Sequence, residues 1–429
     1  MNHASQFLSG NEAVAQAVRL CRPRVIAAYP ITPQTTVVER LSELVEQGQF
    51  DAQFVHVESE HSALALLMGS AAMGARTFTA TSSQGLLYMA ECLYYASGGR
   101  WPLVMMNANR ALALPWNIYG DQSDSLALVS AGWIQAYAEN AQEALDMIIQ
   151  AYAVAEDPAV RTPVLVNLDG FVLTHTYEAV DVPAQSAVDA YLPAPDLPDG
   201  YPGTFSQHTP QSLAVTAGPG DYTVFKYQQH AAMMNAAGAI RTAAMRYLRH
   251  FERGATGLVD TYRHDDAEYL IVTLGSVAGT VRAAVDGLRA QGQRVGLVRL
   301  RYLRPFPLDE LAAALFAPTR ARPVRAIGVL EKDISFGHQG SVSLEVKAAL
   351  YERASRQGDA PIPVINFVAG LGGQDIAPHH IEAFFADLAE QASHPTAAGR
   401  HLRAPGPTDV RFAGMESFLE EDQHQDTAR

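Results

Sequence analysis

The chain has 429 residues, 48% of them hydrophobic and 18% charged. This length exceeds that of a typical single domain, and the composition is that of a globular protein rather than a disordered or fibrous one. The 31 Lys and Arg residues against 45 Asp and Glu residues give a net charge of −14. Because the basic residues do not cluster, nucleic acid is not expected as a partner.

The cysteine count limits the metal chemistry of the chain. Cys21 and Cys92 are the two cysteines, and each falls in a segment with helical periodicity. Two thiols cannot supply the four ligands of an iron–sulfur cluster or a structural zinc, so we predict no metal site in this chain. The N-terminus lacks a signal-peptide pattern and no apolar stretch reaches about 18 residues, so we expect a cytoplasmic protein without a membrane segment.

The first 170 residues alternate short β-branched runs with amphipathic helical segments. Parallel strands need crossover helices, and strands buried on both faces are almost continuously apolar, so the pattern predicts an α/β fold with a covered parallel sheet. The predicted strands occupy residues 24–30, 54–59, 76–82, 102–110, 134–140 and 162–170.

Prolines interrupt the pattern from about 180 to 222, which predicts a long connector without regular structure. A long helix is predicted over 224–252. A second α/β block follows, with strands at 269–276, 294–303, 324–333 and 363–370. We therefore predict domains at 1–255, including the connector, and at 256–395, and a tail at 396–429 that is mobile or packs on another chain.

Ligands of parallel α/β sheets bind at the carboxyl ends of the strands. Four motifs follow predicted strands in the first block, and they provide the candidate site residues. They are YPITPQT (29–35), ESEHSA (58–63), TSSQG (81–85) and NRALALPWNIYGDQSD (109–124).

In the first of these motifs, two prolines surround Ile31 and Thr32 and leave the Thr32 hydroxyl and amide as the available polar groups. One interpretation is a stiff strand-to-helix turn in which the threonine caps the helix. The alternative is a rigid wall with a hydroxyl that binds a ligand oxygen.

Glu60 begins an apolar helical segment, where the helix dipole favours a carboxylate. A capping role is one interpretation, which Glu58 could fill equally well, and a catalytic acid is the other.

Arg110 ends an apolar strand and enters a loop. Its guanidinium can hold a carboxylate through two parallel hydrogen bonds, whereas the structural alternative is an ion pair with Asp121 or Asp124.

Two weaker candidates lie in the second block. GSVAGT (275–280) lacks a complete phosphate-binding fingerprint and is better explained as a tight strand-to-helix turn. His379 and His380 begin the last predicted helix without the spacing of metal ligands, and no Ser/His/Asp or Cys/His set is evident.

The first block contains, in order, the motifs GNEAVAQAV, YPITP, ESEHSALAL, TATSSQGL, NRALALPWNIYGDQSD, GWIQAYAENAQEA and LVNLDGF. The second block adds TLGS, RYLRPFP, EKDISFG and GLGGQDI. Together these motifs resemble the α subunits of the pyruvate:ferredoxin oxidoreductase family. The resemblance covers roughly residues 8–385. It implies a pyrimidine-binding domain of the thiamine-diphosphate fold, followed by a domain like the C-terminal domain of transketolase.

The resemblance also implies cofactors and partners. A β subunit would supply the diphosphate and Mg²⁺ site and complete the thiamine diphosphate site, while [4Fe-4S] clusters would lie in β and δ subunits and a γ subunit would complete the complex. Ferredoxin, pyruvate and CoA would be the reaction partners. Because ferredoxins are usually acidic, the general surface of this acidic chain is not expected to dock one.

Residue by residue, Glu60 matches the family glutamate that hydrogen-bonds the aminopyrimidine ring, and Thr32 and Arg110 match the pair that holds the substrate carboxylate. Tyr29 and Pro30 are assigned to the cofactor site. The chain departs from many relatives after its second proline, where they have two serines, and at Gln122, where they have histidine. Both departures bear on which 2-oxoacid is bound.

The resemblance thus implies reversible oxidation of pyruvate with CoA to acetyl-CoA and CO₂, with reduction of ferredoxin. The alternatives are another substrate (2-oxoisovalerate, 2-oxoglutarate or oxalate), a non-catalytic scaffold subunit, or a flavodoxin-like nucleotide-binding module.

Overall fold

A computed structural model describes residues 4–193, 204–206, 208, 210, 212–213, 216–357, 362–393, 402–403 and 409–415. The strands in these ranges are β1 (Ala4–Ser9), β2 (Val25–Ala28), β3 (Gln53–His56), β4 (Thr77–Thr81), β5 (Val104–Asn109), β6 (Ile134–Tyr137), β7 (Val164–Asp169), β8 (Tyr177–Val182), β9 (Val259–Tyr262), β10 (Tyr269–Thr273), β11 (Val295–Leu300), β12 (Tyr302–Arg304), β13 (Ala326–Glu331), β14 (Val364–Val368), β15 (Leu402–Arg403) and β16 (Val410–Phe412).

The helices of the same ranges are α1 (Gly10–Cys21), α2 (Thr35–Glu46), α3 (Glu60–Ala72), α4 (Ser83–Tyr88), α5 (Ala90–Gly98), α6 (Ser123–Leu126), α7 (Ala141–Ala155), α8 (Gln185–Tyr191), α9 (Pro219–Phe251), α10 (Val277–Ala290), α11 (Leu308–Phe316), α12 (Ser341–Gln357) and α13 (Pro378–Ser393), with a short 3₁₀ turn at Leu371–Gly373. None of these helices is long and apolar enough to cross a membrane.

The first sheet has seven strands in the order β12-β6-β7-β5-β4-β2-β3. The six strands from the first block are mutually parallel. Five lie inside their predicted ranges, and β3 begins at Gln53, one residue before the range 54–59 predicted for it. Every residue of β4, β5 and β7 is buried, because helices cover both faces of the sheet. The predicted α/β fold with a covered parallel sheet is therefore confirmed for this block.

The second sheet also has seven strands, in the order β15-β16-β14-β13-β10-β11-β9. Its parallel centre contains the four predicted strands of the second block, while β9 adds to one edge in the antiparallel direction. A core of aliphatic residues and phenylalanines from α10, α13 and these strands fills one face.

Three regions depart from the sequence predictions. The connector at 180–222 contains regular structure, because β8 pairs with β1 in a two-stranded antiparallel sheet, α8 follows it and α9 already begins at Pro219. Proline at the first turn of a helix costs no hydrogen bond, which explains the early start of α9. In the tail, the described residues form β15 and β16, and β16 extends the second sheet beside β14, so this part packs on its own chain.

The long helix α9 covers the first block. It buries Ala236, Ile240, Tyr247 and Phe251, and the Tyr247 ring packs edge-on against Tyr191 of α8 with their centroids 5.3 Å apart. The prediction of a long helix here is confirmed, and its C-terminal half packs against α7 and α8.

The two sheets are connected by strand pairing and by buried charges. The short strand β12 comes from the second block, yet it pairs antiparallel with β6 at the edge of the first sheet. Next to it, Glu143 of α7 accepts hydrogen bonds from Arg299 (2.7 and 2.9 Å) and Arg301 (2.8 Å). Burial would raise the pKa of Glu143, but the two arginines outweigh it and lower that pKa overall.

Candidate functional site

The order of the first sheet brings the candidate motifs together. β3, β2, β4 and β5 are successive neighbours, and Glu60, Thr32, Ser83 and Arg110 follow these strands in that spatial order. Since parallel strands end at the same edge, all four motifs lie at one edge of the sheet.

Glu60 is the first residue of α3 and is 7% exposed. The N-cap of the helix is Ser59, whose side chain accepts from the Ser62 amide at 3.1 Å, and not Glu58 or Glu60. Glu60 lies in the first turn, where the helix dipole favours a carboxylate. Within the described residues, the Glu60 carboxylate has no hydrogen-bond or ion-pair partner. A largely buried residue whose carboxylate makes no protein contact is available to a ligand, which favours a ligand-binding role over a structural one.

A small space is kept beside Glu60 by Gly85 of α4. A Cβ atom at position 85 would lie 2.5 Å from Glu60 Oε1 and 2.8 Å from Thr81 Oγ1. Thr81 Oγ1 is buried without a hydrogen-bond partner among the described residues. A carboxylate and a hydroxyl therefore share this space, and only glycine at position 85 leaves both in place.

Thr32 lies exposed in the turn after β2, where its hydroxyl forms no hydrogen bond to the described residues. Helix α2 begins three residues later and has Gln34 as its N-cap without a side-chain capping bond, so the capping interpretation of Thr32 is wrong. The buried Gln34 instead donates to the Tyr29 carbonyl at 2.9 Å and fixes the turn. Tyr29 and Pro30 are exposed on it.

Arg110 connects the ends of β2 and β5. Its Nη1 donates to the Thr32 carbonyl at 2.8 Å and its Nε donates to the Asn117 carbonyl at 3.3 Å. It forms no ion pair with Asp121 or Asp124, both of which are described, so that interpretation is wrong. Burial lowers the pKa of Arg110 while the nearby Asp124 raises it, and the side chain is 6% exposed. The two carbonyl bonds leave Nη2 for another ligand.

Asp124 anchors the loop behind Arg110. Its fully buried carboxylate accepts five hydrogen bonds from the amide groups of Ser83 (2.9 Å), Arg110 (3.1 Å) and Ser125 (2.7 Å) and from the side chains of Asn107 (3.1 Å) and Asn109 (2.7 Å). Burial raises the pKa of Asp124, and these bonds oppose the shift. The network fixes the TSSQG motif and the loop after β5 to one another.

A cleft of about 790 Å³ opens beside the same loop, between the ends of the two sheets. Its walls are largely apolar and include Leu112, Leu114 and Leu371, while Asp121 and Asp333 supply carboxylates. This volume falls in the range of small-molecule sites. Leu114 and Trp116 protrude from the loop and are 82% and 71% exposed.

The weaker candidates have structural roles. Ser276, in the GSVAGT turn, donates its amide to Asp169 Oδ2 of the first sheet at 2.9 Å, and Lys332 Nζ lies 3.3 Å from the same oxygen. The turn therefore binds a protein carboxylate, in agreement with the tight-turn prediction. His379 and His380 begin α13, and His380 Nδ1 accepts from the Ala377 amide at 3.1 Å. Among the described residues, no group of three His, Cys, Asp or Glu side chains could hold a metal ion.

Residues 16–245 match the family model "Pyruvate flavodoxin/ferredoxin oxidoreductase, thiamine diP-bdg", and residues 267–381 match "Pyruvate:ferredoxin oxidoreductase core domain II". The pyruvate synthase subunit PorA of Methanothermobacter thermautotrophicus is 43% identical over 88% of this chain and 93% of its own length. The chain belongs to the pyruvate:ferredoxin oxidoreductase family. It is thus a subunit of a 2-oxoacid oxidoreductase, and the predicted resemblance is confirmed.

Other similar proteins are named for other 2-oxoacids. The ketoisovalerate oxidoreductase subunit VorA of Pyrococcus horikoshii is 40% identical over 90% of this chain and 94% of its own length. A solved 2-oxoglutarate:ferredoxin oxidoreductase from Magnetococcus marinus superposes with a TM-score of 0.65 at 19% identity, covering 89% of this chain and 65% of the other. At that identity the superposition supports the fold alone.

The matched family model names thiamine diphosphate binding, and the residues at the sheet edge are chemically suited to part of that cofactor. An aminopyrimidine has ring nitrogens that accept hydrogen bonds and an amino group that donates them, so a carboxyl group, which donates when protonated, and a hydroxyl are suitable partners. Glu60 and Thr81 provide such groups without protein partners, and the absence of a side chain at Gly85 leaves room for both of them. These residues would hold the pyrimidine side of the cofactor.

Four residues of the site were missed by sequence reasoning alone. Thr81 was quoted only as part of the TSSQG motif. Asp124 appeared only as a possible ion-pair partner of Arg110, while Gly85 and Asn117 carried no signal of their own. The GDQSD motif itself could have indicated Asp124. An aspartate among Gly, Gln and Ser residues in a loop after a buried strand commonly accepts hydrogen bonds from backbone amides.

Proposed function

We propose that this chain is the α subunit of a pyruvate:ferredoxin oxidoreductase, which converts pyruvate and CoA to acetyl-CoA and CO₂ while two electrons pass to ferredoxin. The observation that carries the proposal is the edge of the first sheet. There, a buried carboxylate without a protein partner, Glu60, lies at the same edge as an exposed hydroxyl and an arginine with a free Nη2 group.

Glu60 is assigned to the pyrimidine ring. When bound, thiamine diphosphate supplies the carbon nucleophile and the electron sink for decarboxylation. The carboxylate of Glu60 would hold or release a proton at a ring nitrogen.

Thr32 and Arg110 are assigned to the carboxylate of the 2-oxoacid. The Thr32 carbonyl holds the Arg110 guanidinium at 2.8 Å, so the hydroxyl of one residue and the Nη2 group of the other come from a single assembly. A planar guanidinium and a hydroxyl together fix the position and orientation of a carboxylate. Tyr29 and Pro30 would form the wall of the cofactor site on the same turn.

Pyruvate is favoured over longer 2-oxoacids on two grounds. The ESEHSA motif around Glu60 resembles the pyruvate enzymes more than the 2-oxoglutarate enzymes, and PorA relatives match at 43% identity. The VorA relatives are nearly as similar, at 40 and 41% identity, so 2-oxoisovalerate is the alternative substrate.

The remaining parts of the enzyme are assigned to partner subunits. A β subunit would provide the diphosphate and Mg²⁺ contacts, and the [4Fe-4S] clusters would lie in the β and δ subunits, with a γ subunit in the complex. The two cysteines of this chain, Cys21 and Cys92, are buried in separate helices. Burial raises the pKa of both thiols, which disfavours the thiolate form that a cluster needs. Catalysis in the cytoplasm is part of the proposal.

The purified native complex provides the test. Reduction of a low-potential dye is measured with CoA and, in turn, pyruvate, 2-oxoisovalerate, 2-oxoglutarate and oxalate, for the wild type and for Glu60→Gln. We expect the highest kcat/KM with pyruvate, and a fall in turnover on the order of 10² or more in the nearly isosteric variant. Wild-type turnover in an assembled, cofactor-loaded Glu60→Gln complex would contradict the role of Glu60, and no oxidation of any 2-oxoacid would contradict the proposed function.

A further inference from the structure

The loop Arg110–Asp124, here named the substrate loop, is attached to the second block at two points. The Gln122 amide donates to the carbonyl of Lys332, after β13, at 2.9 Å, and Gly372, after β14, binds Asn117 and Asp121. Asn117 Nδ2 donates to the Gly372 carbonyl at 3.0 Å, and the Gly372 amide donates to Asp121 Oδ2 at 3.4 Å. Gly372 is the centre of the glycine turn Leu371–Gly373, which follows β14. Both polar backbone groups of one residue in the second sheet are therefore bound by the substrate loop.

This attachment depends on glycine. Gly372 and Gly373 adopt φ of 60° and 81°, in the left-handed region. A Cβ atom at Gly372 would lie 2.4 Å from Asn117 Nδ2, and one at Gly373 would lie 2.3 Å from Tyr119 Cβ. The backbone of the turn thus packs directly against the substrate loop, and any side chain would separate them.

The attachment point also determines where Arg110 lies. The Asn117 carbonyl accepts from Arg110 Nε at 3.3 Å, and its side-chain Oδ1 accepts from the Tyr119 amide at 2.6 Å. The Ala111 amide then closes the loop by donating to the Tyr119 carbonyl at 3.0 Å. A shift of Asn117 away from Gly372 would therefore shift one of the two carbonyls that hold the guanidinium.

Asp121 is the charged part of this assembly. It is 5% exposed, lines the cleft and accepts a second hydrogen bond from the Ser123 amide at 3.1 Å. We propose that Asp121 and Asn117 are positioning residues for the 2-oxoacid, which hold Arg110 in place for the substrate carboxylate by binding the glycine turn of the second sheet. This inference rests on the proposed function and makes the second sheet a determinant of substrate affinity.

Protonation of Asp121 would alter this assembly. Burial, and next the charge of Asp124, raise the pKa of Asp121 to about 6. The other charged groups on elements packed around it are Arg110 at the end of β5, Lys332 and Asp333 after β13, and Asp375 after the turn, and Lys332 is paired with Asp169. Ionised Asp121 accepts hydrogen bonds from the Ser123 and Gly372 amides, one at each carboxylate oxygen. If one of these oxygens were protonated, its O–H would oppose an amide N–H and weaken that hydrogen bond. Arg110 should therefore be held less firmly in its position as the pH falls through about 6.

The test uses the assembled complex with Asp121→Asn and Gly372→Ala. We expect the KM for the 2-oxoacid to rise on the order of tenfold in both at pH 7.5, with kcat within about twofold, because one charged hydrogen bond is lost but the cofactor site is untouched. In the wild type, KM should rise below about pH 6, and this rise should be absent in Asp121→Asn. Hydrogen exchange of residues 370–376 should be faster in both variants.

Two controls match the variants. Gly337→Ala places a side chain at a φ of 84° with nothing within 4 Å, so it reproduces the backbone strain without the contact. Asp286→Asn makes the same carboxylate-to-amide change outside the cleft, where Asp286 forms an exposed ion pair with Arg263 at 2.7 Å. Wild-type KM and pH profile in Asp121→Asn and Gly372→Ala, in a complex that oxidises 2-oxoacids, would overturn the inference, as would an equal effect of both controls. Failure of the wild-type complex to oxidise any 2-oxoacid would instead refute the proposed function.

Discussion

Replacing Arg110 with lysine most directly tests whether Arg110 binds the carboxylate of the substrate. The guanidinium spans two carbonyls, with 2.8 Å from Nη1 to Thr32 O and 3.3 Å from Nε to Asn117 O, and still offers Nη2. An ammonium group keeps the charge but cannot span both carbonyls and bind a carboxylate through two parallel bonds. The loss of one hydrogen bond between charged groups costs about 1–3 kcal/mol, which corresponds to a roughly 5- to 150-fold higher KM.

The assay is steady-state oxidation of the 2-oxoacid by the assembled complex, with thermal unfolding measured on the same samples. Arg22→Lys is the matched control, because Arg22 forms an exposed ion pair with Asp189 at 2.8 Å and such pairs contribute little. A lower melting temperature in Arg110→Lys with an unchanged KM would show that Arg110 stabilises the loop and does not bind the substrate.

Three other predictions follow from described contacts. Gly85→Ala should lower turnover about tenfold or more, measured by dye reduction, because its Cβ would lie 2.5 Å from Glu60 Oε1, while Gly69→Ala, with nothing within 4 Å, should not. Glu143→Gln should lower the free energy of unfolding by about 3–5 kcal/mol in urea titrations, because Arg301 loses its carboxylate partner and Arg299 keeps only Glu139 and Asp260, whereas Glu352→Gln on an exposed helix pair should change it little. The isolated chain should bind thiamine diphosphate weakly by calorimetry and show no 2-oxoacid oxidation until the β subunit is added; tight binding with Mg²⁺ and full turnover by the lone chain would contradict the split site.

The strands of both sheets were predictable because their burial on two faces demands near-continuous apolar runs. β5 and β7 are examples, since all six residues of each are buried. β8 is different: its burial alternates along YEAVDV, and it pairs only with β1, so its sequence resembles that of a polar connector. The prolines after residue 180 therefore predicted an irregular connector, whereas the chain forms the end of β8 and the short helix α8 there.

The site was predictable to the extent that it follows from strand ends. Thr32, Glu60 and Arg110 each come directly after an apolar run, and the parallel sheet brings those ends together. The bond from Asn117 to Gly372 joins residues 255 positions apart, in different sheets. Neither residue belongs to a local pattern that indicates its partner, so this contact required the three-dimensional structure.

The pairing of β12 with β6 has a consequence for the order in which the chain is made. Tyr302, which pairs with Ala136, is synthesised 166 residues after it. At translation rates of about 5–20 residues per second, β6 remains an unpaired edge for roughly 10–30 s after it leaves the ribosome. An exposed strand edge invites pairing with other chains, so the nascent first sheet is vulnerable to aggregation during this interval. Protection of that edge by a chaperone, or rapid translation between the two strands, would favour the native enzyme.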